Sequence, residues 1–209
     1  MDILQLLVSG VANGCIYGLL ALGFVLIYKA SEAVNFAQGD MMMLGAFLGI
    51  TFINAEYADL PFLIGITLAA LILGIFGYLL DRLVLRAIFG QPQFAMVILT
   101  IALGFLMRFA AGVIWGHDPA SLQTPFVGKV WEFGELIIPV VDALIITTTV
   151  ALTSILYFFF ARTRLGVAMQ ASSQNQMAAY YMGIPVKRIN AIVWALSGVV
   201  AAIAGVMFA

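Results

Sequence analysis

The sequence predicts an all-α polytopic membrane protein of about six transmembrane helices, in one domain (1–209), with its N-terminus outside. Three observations predict it. Of 209 residues, 64% are hydrophobic and 9% charged, with mean hydropathy +1.13, where a soluble domain carries about 45–50% apolar and about 25% charged residues. The apolar residues fall in continuous runs rather than in period-two alternation, which selects helices over a barrel. The cations gather in alternate loops, as counted below. The net charge of −1 says little, because placement of charge matters more than its sum here. Cys15 is the single cysteine, which excludes an internal disulfide and a thiolate metal cage. Met1-Asp2 opens without a basic n-region, so the first segment is expected to be retained.

The first span, Ile3 to Tyr28, lies between Asp2 and Lys29 and exceeds the roughly 20 residues needed to cross. Gly10, Gly14 and Gly18 form a flat face on which another helix can pack closely. Beside it runs a polar stripe of Ser9, Asn13 and Tyr17 at i+4 spacing. Those groups either hydrogen-bond neighbouring helices, or Asn13 and Tyr17 face a substrate path. Cys15 points to roughly the opposite side, for packing or lipid.

The second apolar run, Met41 to Ile53, is too short to cross alone. Either it recruits Asn35, Phe36, Gln38, Gly39 and Asp40 into the membrane, or the segment is broken. Short or broken segments point to binding sites in transporters, and an acid at depth is costly. Asp40 either lines such a path or caps the helix at the cytoplasmic interface. Gly45 and Gly49 make a packing face.

Glu56 and Asp59 precede the third span, Pro61 to Leu80, which is followed by Asp81, Arg82 and Arg86. Gln91-Pro92-Gln93 breaks the chain before the fourth span, Phe94 to Trp115. Arg108 lies about two-thirds along that span, to snorkel outward or to pair with an acid. Residues 116–135 form a polar loop containing Trp131 and His117, the single histidine. Without a second ligand nearby, His117 is expected to be a loop residue. Pro139 introduces a fifth span ending near Ala161, with Asp142 in its favourable first turn. Ala191 to Ala209 is a sixth run, with Ser197, Ala201 and Gly205 on one small-residue face.

With the N-terminus outside, Lys29, Arg82, Arg86, Arg162, Arg164, Lys187 and Arg188 all lie inside. Only Lys129 falls in an outer loop, and Arg108 is within a span. The positive-inside rule therefore selects this orientation.

It also makes 162–190 cytoplasmic. This segment holds four of the nine Lys+Arg and none of the ten acids. Gly166 to Ala171 has helical composition, and Ser172-Ser173 is expected to interrupt it. Asn175 is suited to N-cap a short helix from Gln176 to Met182, with Gly183 at C′ and Pro185 beyond. Ala178-Ala179 would give that helix a flat surface for docking another protein; an amphipathic helix resting on headgroups is the other reading.

Ala178-Ala179-x-x-x-Gly183 resembles the loop by which ABC importer permeases engage their ATPases. Thr163-Arg164-Leu165-Gly166, Met169-x-Ala171 and Met177 through Ile184 resemble one branch, the branched-chain amino acid (Liv-type) permeases. Gly14-Cys15-Ile16-Tyr17-Gly18-Leu19-Leu20-Ala21-Leu22-Gly23 is similar to that family's first helix. Asn35-Phe36-Ala37-Gln38-Gly39-Asp40 with Met43-Leu44-Gly45-Ala46 is similar to its short second segment. The resemblance covers nearly the whole chain, with its motifs in the expected order.

It implies a permease subunit of the bacterial inner membrane, surrounded by lipid. The implied partners are a second permease, two cytoplasmic ATPases and a periplasmic substrate-binding protein; nucleic acid is not among them. ATP-Mg would sit on the ATPases, because this chain has no Gly-rich phosphate loop with Lys. No cofactor, metal or catalytic residue is expected in the chain itself. Arg164, Gly166, Ala178, Ala179 and Gly183 would couple to the ATPase; Asn13, Tyr17, Asn35, Gln38 and Asp40 would serve the path. Three departures stand out: Met177 where the motif often has Glu, Gln38 where the family often has His, and no acids near Asn175. Family members continue past the point matching Ala209, so a C-terminally truncated sequence is expected. The competing classes are an ATP-independent transporter or channel using Asp40 and Arg108, a related permease for urea or short amides, and a membrane enzyme. The last lacks convergent nucleophile, base or metal ligands.

Overall fold

The helix at Val186–Phe208 packs chiefly on three others, those at Asp2–Ser31, Gln38–Ile53 and Phe62–Leu83. The computed structural model describes residues 2–31, 34–88, 91, 93–124, 126–133 and 136–209. In chain order the described elements are α1 (Asp2–Ser31), α2 (Gln38–Ile53), α3 (Phe62–Leu83), a 3-10 turn (Leu85–Ile88), α4 (Gln93–Trp115), β1 (Val130–Phe133), β2 (Leu136–Pro139), α5 (Val140–Arg162), α6 (Arg164–Gln174), α7 (Gln176–Tyr181) and α8 (Val186–Phe208). Five of them, α1, α3, α4, α5 and α8, are long and apolar enough to cross a membrane. With 16 residues, α2 extends only about 24 Å, short of the roughly 30 Å hydrocarbon core. The chain is thus an all-α polytopic membrane protein, as its composition predicts.

Two-thirds of the most apolar stretch of α8 is buried, against 11% for α5, so α8 is the hub and α5 an outer member. Small residues make this possible. A Cβ on Gly198 would collide with the Leu73 carbonyl of α3, one on Gly77 with that of Trp194, and one on Gly205 with that of Met42 on α2. Ser197, Ala201 and Gly205 are buried as a set. Leu73, Val193, Trp194 and Val200 fill the core around them. Without a hydrophobic driving force between helices in lipid, this close backbone approach supplies the packing energy. Cys15 is half-buried and packs beside Ala12, Ile16, Ile145 and Met207.

The C-terminal turns of α1, α3 and α5 carry Lys29, Arg82 and Arg162. Three boundaries differ from the sequence reading. First, the 116–135 loop contains a strand: β1 pairs antiparallel with β2, Val130 opposite Pro139; Glu135 lies outside the described residues. Second, α6 runs through Ser172-Ser173 instead of stopping there. Ser173 Oγ donates to the Gln170 carbonyl at 2.8 Å, which satisfies the hydroxyl without breaking the helix. Third, α8 begins at Val186 rather than Ala191, so Lys187 and Arg188 sit exposed in its first turn. Pro92, expected to break the chain, lies outside the described residues, and α4 follows it.

Candidate functional site: a helix that starts inside the membrane

The chain leaves α1, turns at 34–37 and starts α2 at Gln38. That start lies at depth. The Phe36 N–H donates to Thr100 Oγ1 at 3.2 Å, and Ser197 Oγ lies 2.9 Å from Gln38 Oε1 and 3.1 Å from the Gly23 carbonyl. Counted along α4, α8 and α1, these partners stand roughly 10–16 Å in from the cytoplasmic helix ends. The outcome divides the sequence alternative: Gln38, Gly39 and Asp40 join the helix among the spans, whereas Asn35 and Phe36 lie in the break before it.

Each polar residue of the turn has a defined task. Asn35 Oδ1 accepts from the Ala37 N–H at 3.0 Å, and its Nδ2 donates to Gln38 Oε1 at 3.2 Å. Asn35 and Gln38 are essentially fully buried. A Cβ on Gly23 would collide with the Gln38 amide, so Gly23 is the gap that admits it. Gln38 Nε2 is buried with no partner among the described residues.

Asp40 does not cap α2. The N-cap position belongs to Ala37, which makes no side-chain cap bond. Asp40 sits in the first turn, where the helix dipole favours its charge. Its Oδ1 accepts from Arg108 Nε at 2.5 Å. Asp40 is 5% exposed, while the Arg108 side chain is 64% exposed and lies over the Phe105 ring. Of the two readings of Arg108, the pair with an acid is the one realised. Gly104 makes room for the carboxylate, since a Cβ there would strike Asp40 Oδ2. A cavity of about 190 Å3 opens beside the pair, lined by Phe36, Asp40, Ile101, Phe105 and Arg108.

The polar stripe of α1 divides. Ser9 Oγ donates to Asp142 Oδ2 of α5 at 2.6 Å. Asn13 and Tyr17 point outward, Tyr17 at 69% exposure, beside Gly10, Gly14 and Gly18, each of which faces open space. They are not brought together with Asn35, Gln38 and Asp40.

At the cytoplasmic end, Thr163 caps α6 by accepting from the Gly166 N–H at 2.9 Å. Gly166 is buried, and a Cβ there would strike the backbone of Phe159 and Phe160, so it serves packing at the α5–α6 bend. Asn175 Oδ1 accepts from the Ala178 N–H at 2.9 Å, the cap expected for α7. At the other end Gly183 has φ +82, its N–H donates to Tyr180, and the Ile184 N–H donates to Ala179. Those two bonds are the paired closure of a helix ending in a left-handed residue. The paired alanines do not share a surface. Ala178 is exposed, but Ala179 is 5% exposed and packs inward, because adjacent positions on a helix diverge by about 100°. The outward surface is Met177, Ala178, Tyr180, Tyr181 and Met182, with Arg164, Lys187 and Arg188 exposed on the flanking helices. His117 is exposed in the outer loop, and no cluster of three or more His, Cys, Asp or Glu occurs among the described residues.

Residues 6–209 match the family described as branched-chain amino acid transport system, permease component. The chain belongs to that family. It is similar to the high-affinity branched-chain amino acid transport system permease protein BraD of Pseudomonas aeruginosa, 26% identical over 98% of this chain and 70% of that one. It is likewise similar to LivH of Escherichia coli, 25% identical with the same two shares. No solved structure matches.

Sequence reasoning about this permease missed Thr100, Gly104 and the tie of Ser197 to α2. A signal existed for two of them. Thr100, Gly104 and Arg108 recur every fourth residue and share one face of α4. Ser197 looked like a packing residue because small side chains serve both purposes.

Proposed function

We propose that this permease is the membrane subunit of an ATP-binding-cassette importer that carries branched-chain amino acids across the bacterial inner membrane into the cytoplasm. A second permease, two ATPases and a periplasmic binding protein complete it, with ATP-Mg on the ATPases. The family match over residues 6–209 carries the reading. The exposed, doubly capped α7 between basic flanks supports the ATPase contact. Its cations and lack of acids suit an acidic groove on the ATPase. Arg164, Ala178 and Gly183 act there, while Gly166 and Ala179 hold the segment in shape from behind. Asn13 and Tyr17 line the path on the outward face of α1, against the second permease. Asn35, Gln38 and Asp40 stand behind it and fix where the short helix begins. An ion-coupled transporter would need Asp40 to release Arg108 in each cycle.

The test is uptake of labelled leucine, isoleucine and valine into liposomes holding the permease pair and ATPases, with binding protein outside. ATP-dependent accumulation of at least one supports the reading. Accumulation driven by an ion gradient without ATP, or of urea alone, overturns it.

A further inference from the structure

A cleft of about 260 Å3 lies between α1, α5, α6 and α8. Leu22, Val25, Leu26 and Lys29 form one wall at helical spacing on α1, and Thr153, Leu156, Tyr157 and Phe160 repeat that spacing on α5. Val193 of α8 closes the back, and Met169, Gln170 and Ser173 of α6 close the cytoplasmic end. The helices α1 and α5 meet further out, where Ser9 bonds Asp142 and Ile16 lies with Ile145. The cleft is therefore a slot, shut above by α1–α5 contact, shut below by α6, and open sideways past the exposed Val25 and Tyr157.

Its chemistry is graded along the membrane normal. The deep part is aliphatic and aromatic. The cytoplasmic end carries the Lys29 ammonium and the Gln170 amide, and no carboxylate stands among the described lining residues. Gln170 Nε2 donates one N–H to the Phe160 carbonyl at 3.1 Å; an amide nitrogen has a second to give. An apolar slot that ends in a cation at the cytoplasmic interface matches an acyl chain below a phosphate.

We propose that this slot binds an anionic phospholipid of the inner leaflet, with one acyl chain between α1 and α5 and its phosphate on Lys29 and Gln170. The lipid would then brace α6 beside the contacts that already hold it, the Thr163 cap, the Gln170–Phe160 bond and the buried Gly166 and Met169.

Native mass spectrometry of the full chain in neutral detergent tests this, with phosphatidylglycerol and phosphatidylcholine of identical acyl chains as probes. Wild type should retain phosphatidylglycerol about five-fold more than phosphatidylcholine, the preference expected of one well-placed lysine. Lys29→Gln should abolish that preference. Val25→Trp, which fills the slot from its exposed wall, should lower retention of both lipids. Both side chains are exposed, so melting temperatures should match wild type and separate lost binding from lost folding. Equal retention of the two lipids by wild type, or an undiminished preference in Lys29→Gln, overturns the proposal. So does a lipid-free wild-type dimer that Val25→Trp dissolves, which would put a second copy in the slot.

Discussion

Arg108 of α4 and Asp40 of α2 form an ion pair at 2.5 Å inside the membrane, with the acid buried and the guanidinium largely exposed. The pair ties the start of the short helix to a full-length one. It also makes an otherwise costly carboxylate tolerable at depth, because the opposite charge replaces lost hydration.

Asp40→Asn keeps an acceptor but removes its charge, and should therefore lower stability by about 1–3 kcal/mol, the range for hydrogen bonds to charged groups. Thermal unfolding in detergent measures it. Combining Asp40→Asn with Arg108→Gln should cost less than the sum of the two single changes, since each abolishes the same ion pair. Strict additivity would show that the pair contributes no coupling.

Glycines on the two faces of the bundle should respond oppositely. Gly198→Ala and Gly205→Ala push a methyl against the backbone of α3 or α2 and should each destabilise by about 1–3 kcal/mol. Gly14→Ala meets nothing within 4 Å in this chain, so its melting temperature should be unchanged. If α1 packs on a second permease, the same change should weaken co-purification of the pair.

Removing the cap of α7 gives a local readout. Asn175→Ala should cost about 1 kcal/mol and speed amide exchange from Ala178 onward, with exchange in α8 unaffected. Uniform loosening of α6, α7 and α8 would show that the cytoplasmic helices open as one unit.

The parts legible in the sequence are those set by local rules. Spans followed from runs of apolar residues, and the ends of α7 from Asn175 and Gly183, where cap chemistry leaves few choices. The parts that were not legible depend on contacts between distant segments. Whether Asp40 capped its own helix or paired elsewhere could not be read locally, because its partner lies 68 positions away. The burial of Ala179 depends on how α7 docks, and two adjacent alanines look alike in sequence. The hairpin at β1–β2 was hidden in a stretch whose turn residues suggested irregular loop, and Ser172-Ser173 bent to the helix through a backbone bond that composition does not reveal. In the candidate site, the polar residues of the short segment were found from its length alone. Their division into buried anchors (Asn35, Gln38, Asp40) and outward groups (Asn13, Tyr17) needed the fold.

The central claim is that the cytoplasmic segment couples ATP hydrolysis to transport. Gly183→Pro is its sharpest probe. The residue sits at φ +82 and donates a closing bond to Tyr180, and proline can supply neither. In liposomes holding the assembled transporter, leucine uptake and ATP hydrolysis are measured together, with Arg164→Glu as an independent change of the same surface. Loss of uptake by about ten-fold or more, with the subunit inserted and hydrolysis continuing, is the predicted result. Uptake per ATP equal to wild type in both variants would contradict it.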